Sequence, residues 1–375
     1  MGFLSIALEN GDLSSFGPGK QFMLETSFQF RITAGMDTLG HSHASLQRES
    51  APQATAASPS KSGAGHFAIT GLPLYVVITP VRNEAQFIEL TLTSMVAQTI
   101  KPLKWVIVSD GSTDGTDEIV SRYAADYPWI ELIRMPERGD RHFAGKVHAI
   151  NAALTRVKEL NYALIAIMDG DISFEEDYFA YLLKKFPENS RLGLAGTPYR
   201  QGKMTYDFRY SSAEDVPGAC QLFRRECFEA IGGYLPVKSG GIDLIAALSA
   251  RAKGWQTRTF TEKSCIHHGL SRSFWNPKTG GIQCTTYRVK IQLGYKDYLL
   301  GCHPVWEVFR CIYQMRCKPF VIGGVLMMAA YFWYLLRGVE RTMPKDLIEL
   351  RQRDQMSRLK RFLVEAISGH AHADH

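Results

Sequence analysis

Between residues 72 and 170 the chain alternates short β-branched and aliphatic runs with longer stretches that place apolar residues every three or four positions. The runs at 74–79, 104–109, 130–134 and 163–168 have the texture of buried parallel strands. The stretches at 85–98, 115–127 and 145–160 have the period of helices. Such regular repetition predicts an α/β fold, a mainly parallel, doubly wound sheet with helices on both faces. In that architecture ligands bind beyond the carboxyl ends of the strands, so the residues just after each run are the ones to read for chemistry.

On either side the alternation stops. Residues 1–71 are rich in Ser, Gly, Ala and Gln without a sustained period, and are expected to be a disordered leader, with Met36 as an alternative start. The chain opens with neither the basic n-region nor the long apolar run of a secretory signal. After residue 271 the pattern is aromatic and basic up to an uncharged run of 18 residues at 319–336, close to the roughly 20 needed to span a bilayer. Its Tyr331-Phe332-Trp333-Tyr334 cluster and flanking cations suit an interface anchor, and spanning, re-entrant, interfacial and buried placements all stay open. Residues 345–366 are expected to form an amphipathic helix, lying on a membrane or packed on the domain. The expected organisation is thus a leader over 1–71, an α/β domain over 72–271 and a helical, membrane-facing region over 272–375.

Charge sharpens this division. The 43 basic and 37 acidic residues of the 375-residue chain sum to only +6. Residues 272–361 hold 16 of the basic and 6 of the acidic ones, a balance of +10, which leaves 27 against 31 elsewhere. A basic C-terminal quarter points to a polyanionic surface such as a membrane. The seven cysteines include no CxxC pair, which argues against a zinc cluster or a disulfide framework and for a reducing cytosol. A hydrophobic fraction of 45% excludes wholesale disorder and collagen.

The strand ends carry the chemistry. The first runs into Pro80-Val81-Arg82-Asn83-Glu84, the second into Ser109-Asp110-Gly111-Ser112-Thr113-Asp114-Gly115-Thr116, and the fourth into Asp169-Gly170-Asp171. Glu84, Asp110, Asp169 and Asp171 therefore converge on one edge of the sheet. Gathered carboxylates repel unless a cation or hydrogen-bond donors answer them. Two aspartates one residue apart at a strand tip suit Mg²⁺ or Mn²⁺ gripping a diphosphate. A dinucleotide-dependent dehydrogenase is excluded, because the first turn lacks the glycine needed for close backbone approach. Nucleic-acid binding lacks both a motif and a suitably placed basic face.

The octapeptide from Ser109 to Thr116, followed after about 55 residues by a strand ending in Asp-x-Asp, resembles the family 2 glycosyltransferases of the GT-A fold. The resemblance covers roughly residues 73–270 and includes Pro80 to Glu84, Gln98-Thr99, Gly145-Lys146 with Asn151, and Gly218 through Gly233-Tyr234. It implies that the opening loop, with Pro80, Arg82 and Glu84, and Asp110 hold the base and ribose of a nucleotide-sugar donor. It also implies that Asp169 lies near ribose or metal and that Asp171 coordinates the metal. One departure is Ser109, where the family usually has an acid. The family commonly places its catalytic base about 11 residues before a Gly-aromatic pair, and Asp243 stands 11 before Gly254, with Ile242 in the place of a glutamate. The alternative role for Asp243 is a helix N-cap. His267 and His268 are placed to complete the metal site beside Asp171, although neighbours on a strand point in opposite directions. Lys146 and Arg224-Arg225 are candidates for phosphate contact or for ordinary helix starts.

The resemblance implies an inverting transfer of a sugar to a hydroxyl acceptor, a glycan or lipid-linked glycan of a cell-surface polysaccharide, and the expected location is the cytoplasmic face of the cell membrane, as a peripheral or single-pass protein. A polyprenyl-phosphate glycosyltransferase and a non-catalytic nucleotide-binding scaffold are the alternatives. Gln355-Met356-Ser357-Arg358 is similar to the Gln-x-x-Arg of processive synthases but lacks the following tryptophan, and is set aside. His303, Trp306 and Phe309 suggest an acceptor or membrane face.

Overall fold

The computed structural model describes residues 71–137, 143–202, 212–237, 239–269, 275–276, 281–282, 287–316 and 319–371. The leader expected over 1–71 lies, up to residue 70, outside them. The first half of the fold runs β1 (Tyr75–Val81), α1 (Ile88–Val96), β2 (Lys104–Asp110), α2 (Thr116–Asp126), β3 (Ile130–Met135), α3 (Phe143–Val157) and β4 (Leu164–Met168). It continues through β5 (Ile172–Ser173), α4 (Tyr178–Glu188), β6 (Leu192–Gly196), β7 (Tyr199–Arg200), β8 (Cys220–Arg224), α5 (Arg225–Ala230), α6 (Ile242–Ala252), β9 (Gln256–Thr259) and β10 (Cys265–His267). A short ribbon, β11 (Trp275–Asn276) and β12 (Gly281–Ile282), precedes α7 (Tyr287–Leu299), α8 (Pro304–Gln314), α9 (Ile322–Leu336) and α10 (Lys345–Ala371).

The seven-stranded sheet has the order β3-β2-β1-β4-β8-β6-β9. Every neighbouring pair is parallel except those made by β8, which runs antiparallel to both β4 and β6. The mainly parallel sheet that the periodicity predicts is therefore a mixed one. Strand alternation splits the core into two layers. Val76 and Ile78 of β1 face α3 and α6, whereas Tyr75, Val77 and Val81 face α1, α2 and α4. Pro80 sits inside β1 but opposite Val108 of β2 only, because the ladder to β4 ends at Ile78. Its missing N–H therefore breaks no ladder bond on the β4 side.

The C-terminal helices pack onto this domain. Met343, Leu347 and Ile348 join the core layer that contains α6, and Arg251 of α6 pairs with Asp354 of α10 at 2.7 Å. The uncharged run at 319–336 contributes a helix of 15 residues, α9, and among the described residues no helix is long and apolar enough to cross a membrane. Two of the residues expected on an acceptor or membrane face have packing roles. His303 caps α8 by accepting from the Val305 amide, and Trp306 is buried against Phe309. Arg224 and Arg225 also serve the fold. Arg224 donates to the carbonyls of Leu192, Phe186 and Asn189, and Arg225 to those of Leu160 and Lys158.

Candidate active site

The loops after β1 and β2 are laced together by the polar residues of the octapeptide. Ser112 accepts from the Asn83 amide, Thr116 from the Glu84 amide and Asp114 from the Ala85 amide, at 3.1, 2.9 and 3.0 Å. Asn83 Oδ1 accepts in turn from the Thr113 amide at 2.8 Å. Asn83 has φ 58°, a left-handed conformation that asparagine tolerates better than most residues. Burial raises the Asp114 carboxyl, but the bonds it accepts from the Thr116 hydroxyl and the Ala85 and Thr116 amides outweigh this and hold it low. Most of the octapeptide thus builds the loops. Asp110, buried at the tip of β2, has Arg82 at 3.8 Å.

At the tip of β4 the Asp169-Gly170-Asp171 turn is pinned from two sides. A Cβ at Gly170 would lie 2.6 Å from Val81, so the central residue must be glycine for packing. Thr91 of α1 lies within 2.9 and 2.7 Å of the Gly170 and Ile172 carbonyls and accepts from the Ile172 amide. Lys146, in the first turn of α3, reaches Asp169 Oδ1 at 2.5 Å. On the other side β10 pairs His267 with Ile172. His267 Nε2 then stands 3.6 Å from Asp171 and 4.0 Å from Asp169. Gly269 completes the crossing, since any Cβ there would collide with the Asp171 carboxylate.

One oxygen from each of these aspartates and one nitrogen of His267 lie within 4.8 Å of one another. His267 Nδ1 is 3.0 Å from the Gly269 carbonyl, which can only accept, so Nδ1 carries a proton. In the neutral ring the Nε2 lone pair then faces two carboxylates, an arrangement a cation satisfies. Burial pushes the Asp171 carboxyl up, a protonated His267 would oppose this and Asp169 adds to it. Two carboxylate oxygens and one imidazole nitrogen fit Mg²⁺ or Mn²⁺, and the nitrogen tilts the set toward Mn²⁺. His268 points elsewhere. Its Nε2 is 2.7 Å from Ser173 Oγ and its ring stacks on Phe87. The geometry thus separates the two histidines as strand alternation requires.

Asp243 reaches the same edge by way of β8. The Asp169 amide donates to the Ala219 carbonyl at 2.9 Å, and a Cβ on the preceding Gly218 would lie 3.1 Å from the Asp243 side chain. Asp243 is buried in the first turn of α6, whose N-cap is Gly241 at φ 82°, so the capping role expected as its alternative belongs to another residue. Burial holds the Tyr234 hydroxyl far above its ordinary value, and the charges of Asp243 and Asp169 add to the rise. Both carboxylates therefore act on one buried phenol, which donates to Gln221 Oε1. Gly241 admits Leu300, the residue after α7, against its backbone; a Cβ there would meet Leu300 Cδ1 at 2.8 Å.

Glu84, Asp110, Asp169, Asp171 and Asp243 thus occupy one end of a mixed α/β sheet. Over residues 76–244 the chain matches the family described as glycosyl transferase family 2. This segment is similar to that family.

Among curated relatives, poly-beta-1,6-N-acetyl-D-glucosamine synthase of Staphylococcus epidermidis is 26% identical over 188 residues, 49% of this chain and 42% of its own. Glycosyltransferase AglE of Haloferax volcanii is 34% identical over 104 residues, 27% of this chain and 32% of its own. Succinoglycan biosynthesis protein ExoA of Rhizobium meliloti is 27% identical over 187 residues, 42% of this chain and 52% of its own. The chain spans about half or less of the length of these relatives. Of solved structures, mannosyltransferase PcManGT from Pyrobaculum calidifontis, in complex with GDP-Man and Mn²⁺, superimposes with a TM-score of 0.48 at 19% identity, over 79% of this chain and 87% of that one. S. aureus TarS 1–349 in complex with UDP gives 0.45 at 13% identity, over 70% and 72%.

Several residues of this candidate site are not legible in the sequence. Thr91, Gln221 and Leu300 hold the loops that carry the acids but lie 79, 22 and 59 positions from Gly170, Asp243 and Gly241. Nothing local marks them. The Lys146 contact with Asp169 was foreseen only as a phosphate contact or a helix start.

Proposed function

We propose that this protein is an inverting glycosyltransferase that moves a sugar from a nucleotide-sugar donor to a hydroxyl of a glycan or lipid-linked glycan in cell-surface polysaccharide synthesis. The observation that carries this reading is the convergence of Asp169, Asp171 and His267 beside the laced loops, with Asp243 joined to the same edge through Gly218 and Ala219.

In this reading the loop of Arg82 and Glu84, with Asp110, holds the base and ribose. Asp169, Asp171 and His267 would hold Mg²⁺ or Mn²⁺, which when bound offsets the charge of the donor diphosphate. Lys146 fixes one oxygen of Asp169, so that carboxylate is oriented before a ligand arrives. Asp243 takes the proton of the acceptor hydroxyl as its oxygen attacks the anomeric carbon. The bond from that carbon to the diphosphate breaks with its electron pair on the leaving nucleoside diphosphate, and the configuration inverts.

The +10 balance of residues 272–361 supports placement at the cytoplasmic face of the cell membrane. The same charge favours a second reading, a polyprenyl-phosphate acceptor, whose anionic oxygen needs little help from a base. The test is hydrolysis and transfer with a panel of UDP-, GDP- and dTDP-sugars, with Mn²⁺ and with chelator. Turnover of one donor that stops with chelator is expected; turnover indifferent to chelator contradicts the metal assignment.

A further inference from the structure

Helix α9 is apolar on every side but covered on only one. Gly323, Gly324, Met327, Ala330 and Tyr331 are its buried residues. Gly324 lets the Cys311 carbonyl of α8 approach, and Gly294 of α7 does the same for the Met327 carbonyl. The uncovered positions are Ile322, Val325, Ala329, Trp333 and Leu336. Their steps of three and four residues make one straight stripe along the whole helix. Leu336 reaches 84% exposure, and no charged residue occurs between Pro319 and Leu336. A surface helix in water carries polar residues on such a stripe.

The ends of the stripe show what covers it. Arg316 and Arg337 are exposed just before and just after the uncharged run, and the Arg337 guanidinium lies 4.5 Å from the Trp333 ring centroid. Between Arg316 and Lys345 the sequence has one acid, Glu340. Pairing with a second copy would bring cation against cation at both ends, whether the two helices ran parallel or antiparallel. An anionic lipid surface complements both features, acyl chains for the stripe and phosphates for the arginines. At about 1.5 Å per residue the helix is roughly 22 Å long, too short to cross a core of about 30 Å.

We infer that α9 is an in-plane membrane anchor, its outer stripe seated at the boundary of headgroups and acyl chains of an anionic bilayer. Exposed Val305 and Ile312 on the adjoining α8 add apolar surface. The other neighbour, α7, is followed by Leu300, which packs on Gly241, so one helix joins the anchor to the N-terminus of α6, where Asp243 sits. This contact deepens the membrane placement proposed above and is independent of the transfer chemistry.

Flotation of the full chain with vesicles, without donor sugar, tests it. Binding to phosphatidylglycerol-containing vesicles is expected to exceed binding to pure phosphatidylcholine by about tenfold or more. Val325→Glu with Trp333→Glu should abolish vesicle binding while donor hydrolysis in vesicle-free solution stays normal. Arg316→Glu with Arg337→Glu should remove the preference for anionic lipid, which keeps the test decisive if the first pair fails to fold. Failure to float with any vesicle, unchanged flotation of both double variants, or a stripe that mediates only self-association in light scattering would overturn the anchor. Failure of donor hydrolysis alone would count against the proposed reaction and leave the anchor standing.

Discussion

The sheet edge and the C-terminal helices hold opposite surpluses of charge and treat them differently. At the edge, Asp169 and Asp171 are partly exposed and answered within the chain by Lys146 and His267, with room for a further cation. Among the described residues of the helices the buried cations Lys290, Lys296, Arg310 and Arg351 outnumber the buried acids Asp297 and Glu307, and the exposed cations Arg316 and Arg337 bracket an apolar stripe. In the proposed reading the first region takes a small cation and its diphosphate, and the second meets an extended anionic surface. Gly241 against Leu300 is the seam between them.

The largest expected effect breaks the comparison on the edge side. Asp243→Asn should lower kcat for a hydroxyl acceptor by about 10²–10⁴-fold with little change in donor KM, measured in steady-state transfer assays. Near-normal transfer to a polyprenyl phosphate by the same variant would favour the second reading.

A smaller effect probes the seam. Gly241→Ala imposes a side chain at φ 82° and 2.8 Å from Leu300, and should cost about 1–3 kcal/mol in denaturant unfolding. Adding Leu300→Ala should cost less than the sum of the two single changes, by about 1 kcal/mol. Strict additivity would show that the regions are not coupled there.

A further effect lies inside the helices. Burial pushes the Glu307 carboxyl up to about 7, against the thiols of Cys311 and Cys302 that hydrogen-bond it. Between its ordinary value of 4.5 and about 7 the folded protein binds more of this proton than the unfolded chain, so this group's contribution to stability falls as pH rises through that window. Relative to Glu307→Gln, the wild type should lose up to about 3 kcal/mol across it and change little above it.

How much was legible in the sequence follows the same division. The strand ends that place Asp110, Asp169 and Asp171 were readable because period and strand length are local properties, and the expected runs agree with β1 to β4 within two residues at either end. The antiparallel β8 was missed, although it brings Asp243 to the edge, because the direction in which Cys220–Arg224 pairs with its neighbours is not a local property of its sequence. Choosing between His267 and His268 needed the register of β10 on β5. The run at 319–336 left four placements open because composition fixes an apolar helix but not which of its sides neighbours cover. Gln355 and Arg358 proved to be packing residues, accepting from the His303 amide and pairing with Asp215.

The most direct test of the central claim is titration calorimetry of Mn²⁺ into the full chain and into His267→Ala and His268→Ala. Saturable binding by the wild type, weakened about tenfold or more by loss of His267 and unchanged by loss of His268, is predicted. No Mn²⁺ binding by the wild type, or equal weakening by the two histidine variants, would contradict the assembly of Asp169, Asp171 and His267 as the metal site.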